Sequence, residues 1–192
     1  MNLRPDHFDG FLGTAHLTLG LWTLVAAATV GVTWEAPDKP GFSEISAVSR
    51  LTLAGGLTWL VLTATIHLSL GRRLRQGRRA ISTRTILLLA LAHTLVLGTI
   101  LIVSLRNPKS PAFLGGAEEL LAALTSTGVL AGCLLIFTLW WLNRGANRGG
   151  QPRRSPPPAH SFAFKWLLAG HFVTALLLAA ALLRLDSLAW PM

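Results

Sequence analysis

Long apolar runs alternate with short polar stretches along the 192 residues of the chain. Five runs, at 11–33, 51–70, 85–105, 119–142 and 164–183, are long enough to cross about 30 Å of hydrocarbon at about 1.5 Å per residue. No run contains a proline or an interior acidic residue. A segment surrounded by lipid must satisfy its own backbone hydrogen bonds, so each run is predicted to be a helix. The fold class that follows is all-α: a polytopic membrane protein built as a five-transmembrane-helix bundle.

Composition agrees with that pattern. Hydrophobic residues make up 52% of the chain and charged residues 13%, about half the charged share of a soluble domain. The mean hydropathy is +0.53. A net charge of +9 invites a nucleic-acid reading, but such binders carry their cations on a folded polar face. Almost no chain is left here outside the apolar runs, so nucleic acid is excluded as a partner. The distribution of the cations explains their excess. With the N-terminus cytoplasmic, twelve Lys and Arg fall inside, among them Arg72, Arg73, Arg75, Arg78, Arg79 and Arg84, and only five fall outside. That is the bias of a protein in a bacterial inner membrane, multi-pass, with its N-terminus in the cytoplasm. Arg4 and the run Ala26-Ala27-Ala28 also suggest a signal peptide, but the first apolar stretch exceeds the 7–15 residues of a signal core. Trp34, Trp140, Trp141, Trp166 and Trp190 sit at span ends as interface anchors, whereas Trp22 and Trp59 lie deeper and are expected to pack between helices.

Three parts are expected: a four-helix transmembrane unit over 1–143, a basic, proline-rich cytoplasmic linker over 144–163, and a fifth helix with a short outer tail over 164–192. The linker sequence, rich in Gly, Pro and Arg between 145 and 161, has little to bury. The basic stretch 71–84 is expected at the lipid headgroups.

Histidine placement adds chemistry to this frame. His7 and His160 lie in polar segments, but His16, His67, His93 and His171 lie inside spans one, two, three and five. Ionisable residues in spans are uncommon and usually functional. His16, His93 and His171 stand five, eight and seven residues from the inner start of their spans, and His67 stands three from the inner end of its span. All four therefore lie about 5–12 Å from the cytoplasmic boundary. Helical spacing puts Gly13 and Gly20 on the His16 face, and Thr63, Gly56 and Gly71 near the His67 face. Small residues mark close helix approach, so both rings are expected to point inward. The fourth span has no histidine; its Gly128 and Gly132 form a GxxxG packing face.

A lone histidine in a span is commonly a packing residue bonded to a neighbouring helix. Four at one depth on four helices point instead to a shared ligand. Several imidazoles with no carboxylate or thiolate at that depth suit haem iron, which takes two axial ligands in a flat apolar macrocycle. Zinc and non-haem iron sites usually add carboxylate or thiolate. Copper held by imidazoles is a further option. The single cysteine, Cys133, has no partner for a disulfide.

On His16, His67, His93 and His171 the chain resembles membrane-embedded b-type cytochromes. Such a resemblance implies one or two haem b groups, with those four histidines as axial iron ligands. Depth suggests His93 with His171 and His16 with His67 as candidate pairs, and other pairings across the bundle stay open. In the five-helix cytochrome b subunits of fumarate and nitrate reductases, haems lie toward both membrane faces, whereas these histidines all lie on one side. The segments Ala15-His16 and Ala92-His93, with Gly20 and Gly98 following, resemble the repeat of haem A synthases, without their acidic and arginine signatures. The expected function is electron transfer, or service as the membrane subunit of a respiratory redox complex, with membrane lipid, quinone and other subunits as partners. The alternatives are a haem- or copper-handling assembly or transport factor for a respiratory oxidase, and a non-catalytic accessory subunit. No catalytic residue is assigned.

Overall fold

The computed structural model describes residues 5–33, 43–76, 83–106, 117–146 and 159–189. They form α1 (Pro5–Thr33), α2 (Ser43–Arg75), α3 (Thr83–Arg106), α4 (Ala117–Ala146) and α5 (Ala159–Ala189), with no strand among the described residues. Each helix contains one of the five apolar runs and is long and apolar enough to cross a membrane. The chain is a multi-pass membrane protein. Pro5 opens α1, where its missing N–H is one that a helix start leaves unbonded in any case. Inside the helices, several threonine hydroxyls bond to their own helix. Thr23, Thr52, Thr99 and Thr138 each donate to the carbonyl four residues back.

All five helices outrun their apolar cores. α2 continues through the first half of the expected basic loop, so Arg72, Arg73 and Arg75 occupy its last turn, where they complement the partial negative charge of the helix end. Residues 77–82 of that loop and 147–158 of the expected linker lie outside the described residues. His7 and His160 fall in the first turns of α1 and α5, and their side chains lie outside the description.

Around the bundle the neighbours run α1, α2, α5, α3, α4 and back to α1, with a lesser α2–α4 contact across the middle. Chain order is therefore not spatial order, because α5 stands between α2 and α3 and completes the ring. Side chains tie the ends together. Where α1 begins, Trp141 Nε1–H donates to Asp9 Oδ1 at 2.9 Å, and Arg73 lies 4.6 Å above the Phe164 ring. At the opposite end Arg106 meets Asp186 at 3.3 Å.

α1 and α2 touch backbone to backbone. A Cβ on Gly13 would stand 2.8 Å from the Gly71 carbonyl oxygen, and one on Gly71 would stand 2.7 Å from that of Gly13. Only half of the expected α4 face packs in this way: Gly128 lies against Leu97 of α3, whereas a Cβ on Gly132 meets nothing within 4 Å. Trp59 is fully buried, as expected. Trp22 is not, being 56% exposed. Six residues from His16, it is turned about 120° round the helix from the inward face, toward lipid. Phe11, Leu91, Leu101, Ile136 and Leu177 are also exposed, which gives the bundle an apolar outer surface.

Candidate functional site

The buried interior has two apolar layers. One, at the end where α1 begins, contains Leu12, Ile66, Leu70, Leu89 and Leu135. The other contains Trp59, Leu60, Val96, Leu124 and Leu178. His16, His67, His93 and His171 lie between them, one from each of α1, α2, α3 and α5, and all four are fully buried or 1% exposed. The matched depth read from the sequence thus becomes contact. His16 and His67 stack at 5.0 Å between ring centroids. His67 and His93 stand perpendicular at 6.2 Å, and His93 and His171 are tilted at 5.3 Å. His93 is the hinge of the row, since it meets both His67 and His171.

The structure brings all four sequence-predicted histidines into one cluster, but it does not treat them alike. His16 Nδ1 and His67 Nδ1 are 2.8 Å apart, a hydrogen bond. Two imidazoles on opposite sides of one metal, at about 2.0 Å each, need nitrogens about 4 Å apart. In this structure the Nδ1 atoms of His16 and His67, one of the candidate axial pairs, hydrogen-bond each other at a shorter distance than that. His16 Nε2 also reaches Thr138 Oγ1 at 3.0 Å. His93 Nδ1 hydrogen-bonds the Leu89 carbonyl one turn back, at 2.7 Å. Four ring nitrogens remain buried with no hydrogen-bond partner: His67 Nε2, His93 Nε2, and both Nδ1 and Nε2 of His171.

Other polar groups join them. Trp59 packs against His93 at 5.0 Å and against His171 at 5.6 Å, and its Nε1 is buried without a partner. Thr63, one turn from His67 on α2, and Thr127 on α4 likewise have unpartnered hydroxyls. Trp59, Thr63 and His67 follow one another at four-residue spacing, so that face could be read from the sequence once His67 pointed inward. Thr138 could not be; nothing in the pattern separates it from the many other threonines.

The donors available to a ligand here are imidazole nitrogens. The carboxylate of Asp9 is engaged by Trp141 at the bundle end, and Cys133 is exposed on α4. No three or more His, Cys, Asp or Glu side chains are arranged to hold a metal ion among the described residues. Imidazole nitrogens are donors of the kind that haem iron takes as axial ligands. No protein-family model, curated protein or solved structure matches the chain.

Proposed function

We propose that this chain is a haem-binding protein of a bacterial inner membrane that carries electrons, alone or as the membrane subunit of a respiratory redox complex. One observation carries the reading. Three imidazoles converge inside a lipid-embedded bundle with buried nitrogens that bond to nothing in the protein. A buried polar atom without a partner is costly, and lipid supplies no water to relieve it. A metal centre takes imidazole lone pairs, and two of these imidazoles are enough for one. Haem b, when bound, supplies one-electron chemistry at a depth that lipid-soluble quinone can approach. The chain's own part is to aim the imidazoles, keep water out with an apolar layer on either side, and hold the site near one end of the bundle.

The charge asymmetry makes that end cytoplasmic. The basic last turn of α2, with Arg72 and Arg73, then offers cations for carboxylates of the bound group or for anionic lipid. A reporter fused after Met192 is expected in the periplasm, and one placed within 147–158 in the cytoplasm; a cytoplasmic C-terminus would refute this orientation.

A second reading, a factor that handles copper or haem for an oxidase, is favoured by Trp59. Its indole lies against both His93 and His171 and fills space beside them that a macrocycle would need but a bare ion would not. The deciding experiment is an absorption spectrum of the purified full-length protein, with metal analysis of the same sample. A Soret band and reduced α band at stoichiometric iron support the first reading. Copper without those bands supports the second. A wild-type protein that takes up neither after expression with ample supply of both overturns both readings.

A further inference from the structure

The hydrogen bonds around the histidines fix where their protons sit. Thr138 Oγ1 lies 2.7 Å from the Leu134 carbonyl oxygen. A carbonyl only accepts, so the single hydroxyl proton points there. Thr138 Oγ1 must then accept from His16, whose Nε2 carries the hydrogen across 3.0 Å. A neutral imidazole has one N–H, so His16 Nδ1 is an acceptor. Its partner at 2.8 Å, His67 Nδ1, is therefore the donor. That leaves His67 Nε2 as a bare lone pair, buried and unpartnered. The two nitrogens of an imidazole point in nearly opposite directions, so this lone pair is aimed away from α1. His93 arrives at the same state by a shorter route. Its Nδ1–H donates to the Leu89 carbonyl, and its Nε2 is left as a buried, unpartnered lone pair.

From this we propose that His67 and His93 are the metal-ligating pair of the bundle, joined through their Nε2 atoms, and that His16 is a positioning residue that acts through His67. The inference rests on the proposed function, in that a metal centre must bind. It holds for haem iron and for a bare ion, which share the chemistry of taking imidazole lone pairs. Ring separation agrees: imidazoles bound on opposite sides of one metal have centroids about 6 Å apart for bonds of about 2.0 Å, and His67 and His93 stand at 6.2 Å. His93 and His171, at 5.3 Å, are closer than that. Ligating histidines generally donate their second N–H to a carbonyl or similar acceptor, which sets the tautomer and strengthens the donor. His67 and His93 both do so, and His171 does not.

The test uses the full-length protein, purified in detergent and titrated with haemin in one arm and with copper(I) in the other. Binding is followed by optical spectra, metal analysis and midpoint potential. His67→Ala and His93→Ala are expected to lose the bound group or turn haem five-coordinate, and free imidazole should restore the six-coordinate spectrum in each. His171→Phe should bind as the wild type does. His16→Leu should keep full stoichiometry but bind about 10–100-fold more weakly, with a raised midpoint potential because His67 becomes a poorer donor. His16→Gln should recover toward wild type, since its amide oxygen accepts from His67 Nδ1–H. If His67→Ala fails to fold, the His16→Leu and His16→Gln pair carries the test alone. Wild-type affinity in both His67→Ala and His93→Ala overturns the assignment while the proposed function stands. Loss of binding in His171→Phe, or His16→Leu matching wild type in affinity and potential, overturns it as well. A wild type that binds in neither arm defeats the proposed function itself.

Discussion

Gly71→Ala should separate α1 from α2 and be felt at the histidines. The added methyl would lie 2.7 Å from the Gly13 carbonyl oxygen, 2.7 Å from Leu17 Cγ and 2.9 Å from the Leu17 backbone nitrogen. Two of these three atoms are backbone and cannot swing aside. Ordinary contact begins at 3.4 Å, so the helices must part by 3.4 minus 2.7, or about 0.7 Å. His16 is one turn from Gly13 and His67 one turn from Gly71, so the same displacement acts on their 2.8 Å bond and carries it beyond hydrogen-bonding range. Overpacking costs about 1–3 kcal/mol and the lost bond about 0.5–1.5 kcal/mol, partly offset by up to about 1 kcal/mol of better helix propensity. A net loss near 2 kcal/mol, at about 2–4 °C per kcal/mol for a chain of this length, lowers Tm by roughly 4–8 °C. The assay is thermal unfolding in detergent. Gly98→Ala is the control, because a Cβ there meets nothing within 4 Å and should leave Tm unchanged or slightly raised. Equal Tm for Gly71→Ala and wild type, or an equal fall in the control, would refute the reasoning.

Two further outcomes can be measured in the same assay. Gly132→Leu should be tolerated and Gly128→Leu should lower Tm, since only Gly128 is in contact, with Leu97; the reverse order would mean the α3–α4 packing is misassigned. Trp141→Phe removes the N–H that bonds Asp9, whose side chain is only 7% exposed, and should cost about 1.5–3 kcal/mol as a hydrogen bond to a charged group; a change under about 0.5 kcal/mol would mean that bond contributes nothing net.

The spans were legible because lipid imposes one rule over some 20 residues at a time, which local exceptions do not erase. The common depth of the histidines was legible for a similar reason, since rise per residue converts position into depth without knowledge of neighbours. Which helices adjoin is a different matter. Chain order does not reveal that α5 enters between α2 and α3. Nothing in local hydropathy records which faces of two apolar helices match. The division of labour among the histidines was equally hidden. It depends on which nitrogen of each ring meets which acceptor, and the decisive contact, Thr138 with His16, joins residues 122 positions apart. Spacing also misjudged Trp22 and Gly132, because depth along a helix does not fix direction around it.

His171→Phe separates a ligand-binding cluster from a packing one. Four ring nitrogens lie buried without partners. At about 1–3 kcal/mol for each unsatisfied group, their combined cost is on the order of the 5–15 kcal/mol that stabilises a whole domain. Two of the four nitrogens, His67 Nε2 and His93 Nε2, carry the lone pairs that coordination would relieve. His171 carries the other two atoms and gains nothing from that bond. Phenylalanine keeps a flat ring in its place against Trp59, which it stacks at 5.6 Å, while removing both unsatisfied nitrogens. The metal-free variant should therefore unfold at a higher temperature than metal-free wild type, by the equivalent of about 1–3 kcal/mol. Adding haem or metal at 100 times its Kd should stabilise both proteins by a further ~2.7 kcal/mol, through mass action on the folded state alone. Were the histidines present only to pack, the larger ring would strain a filled core, the variant would melt below wild type, and the added ligand would move neither curve.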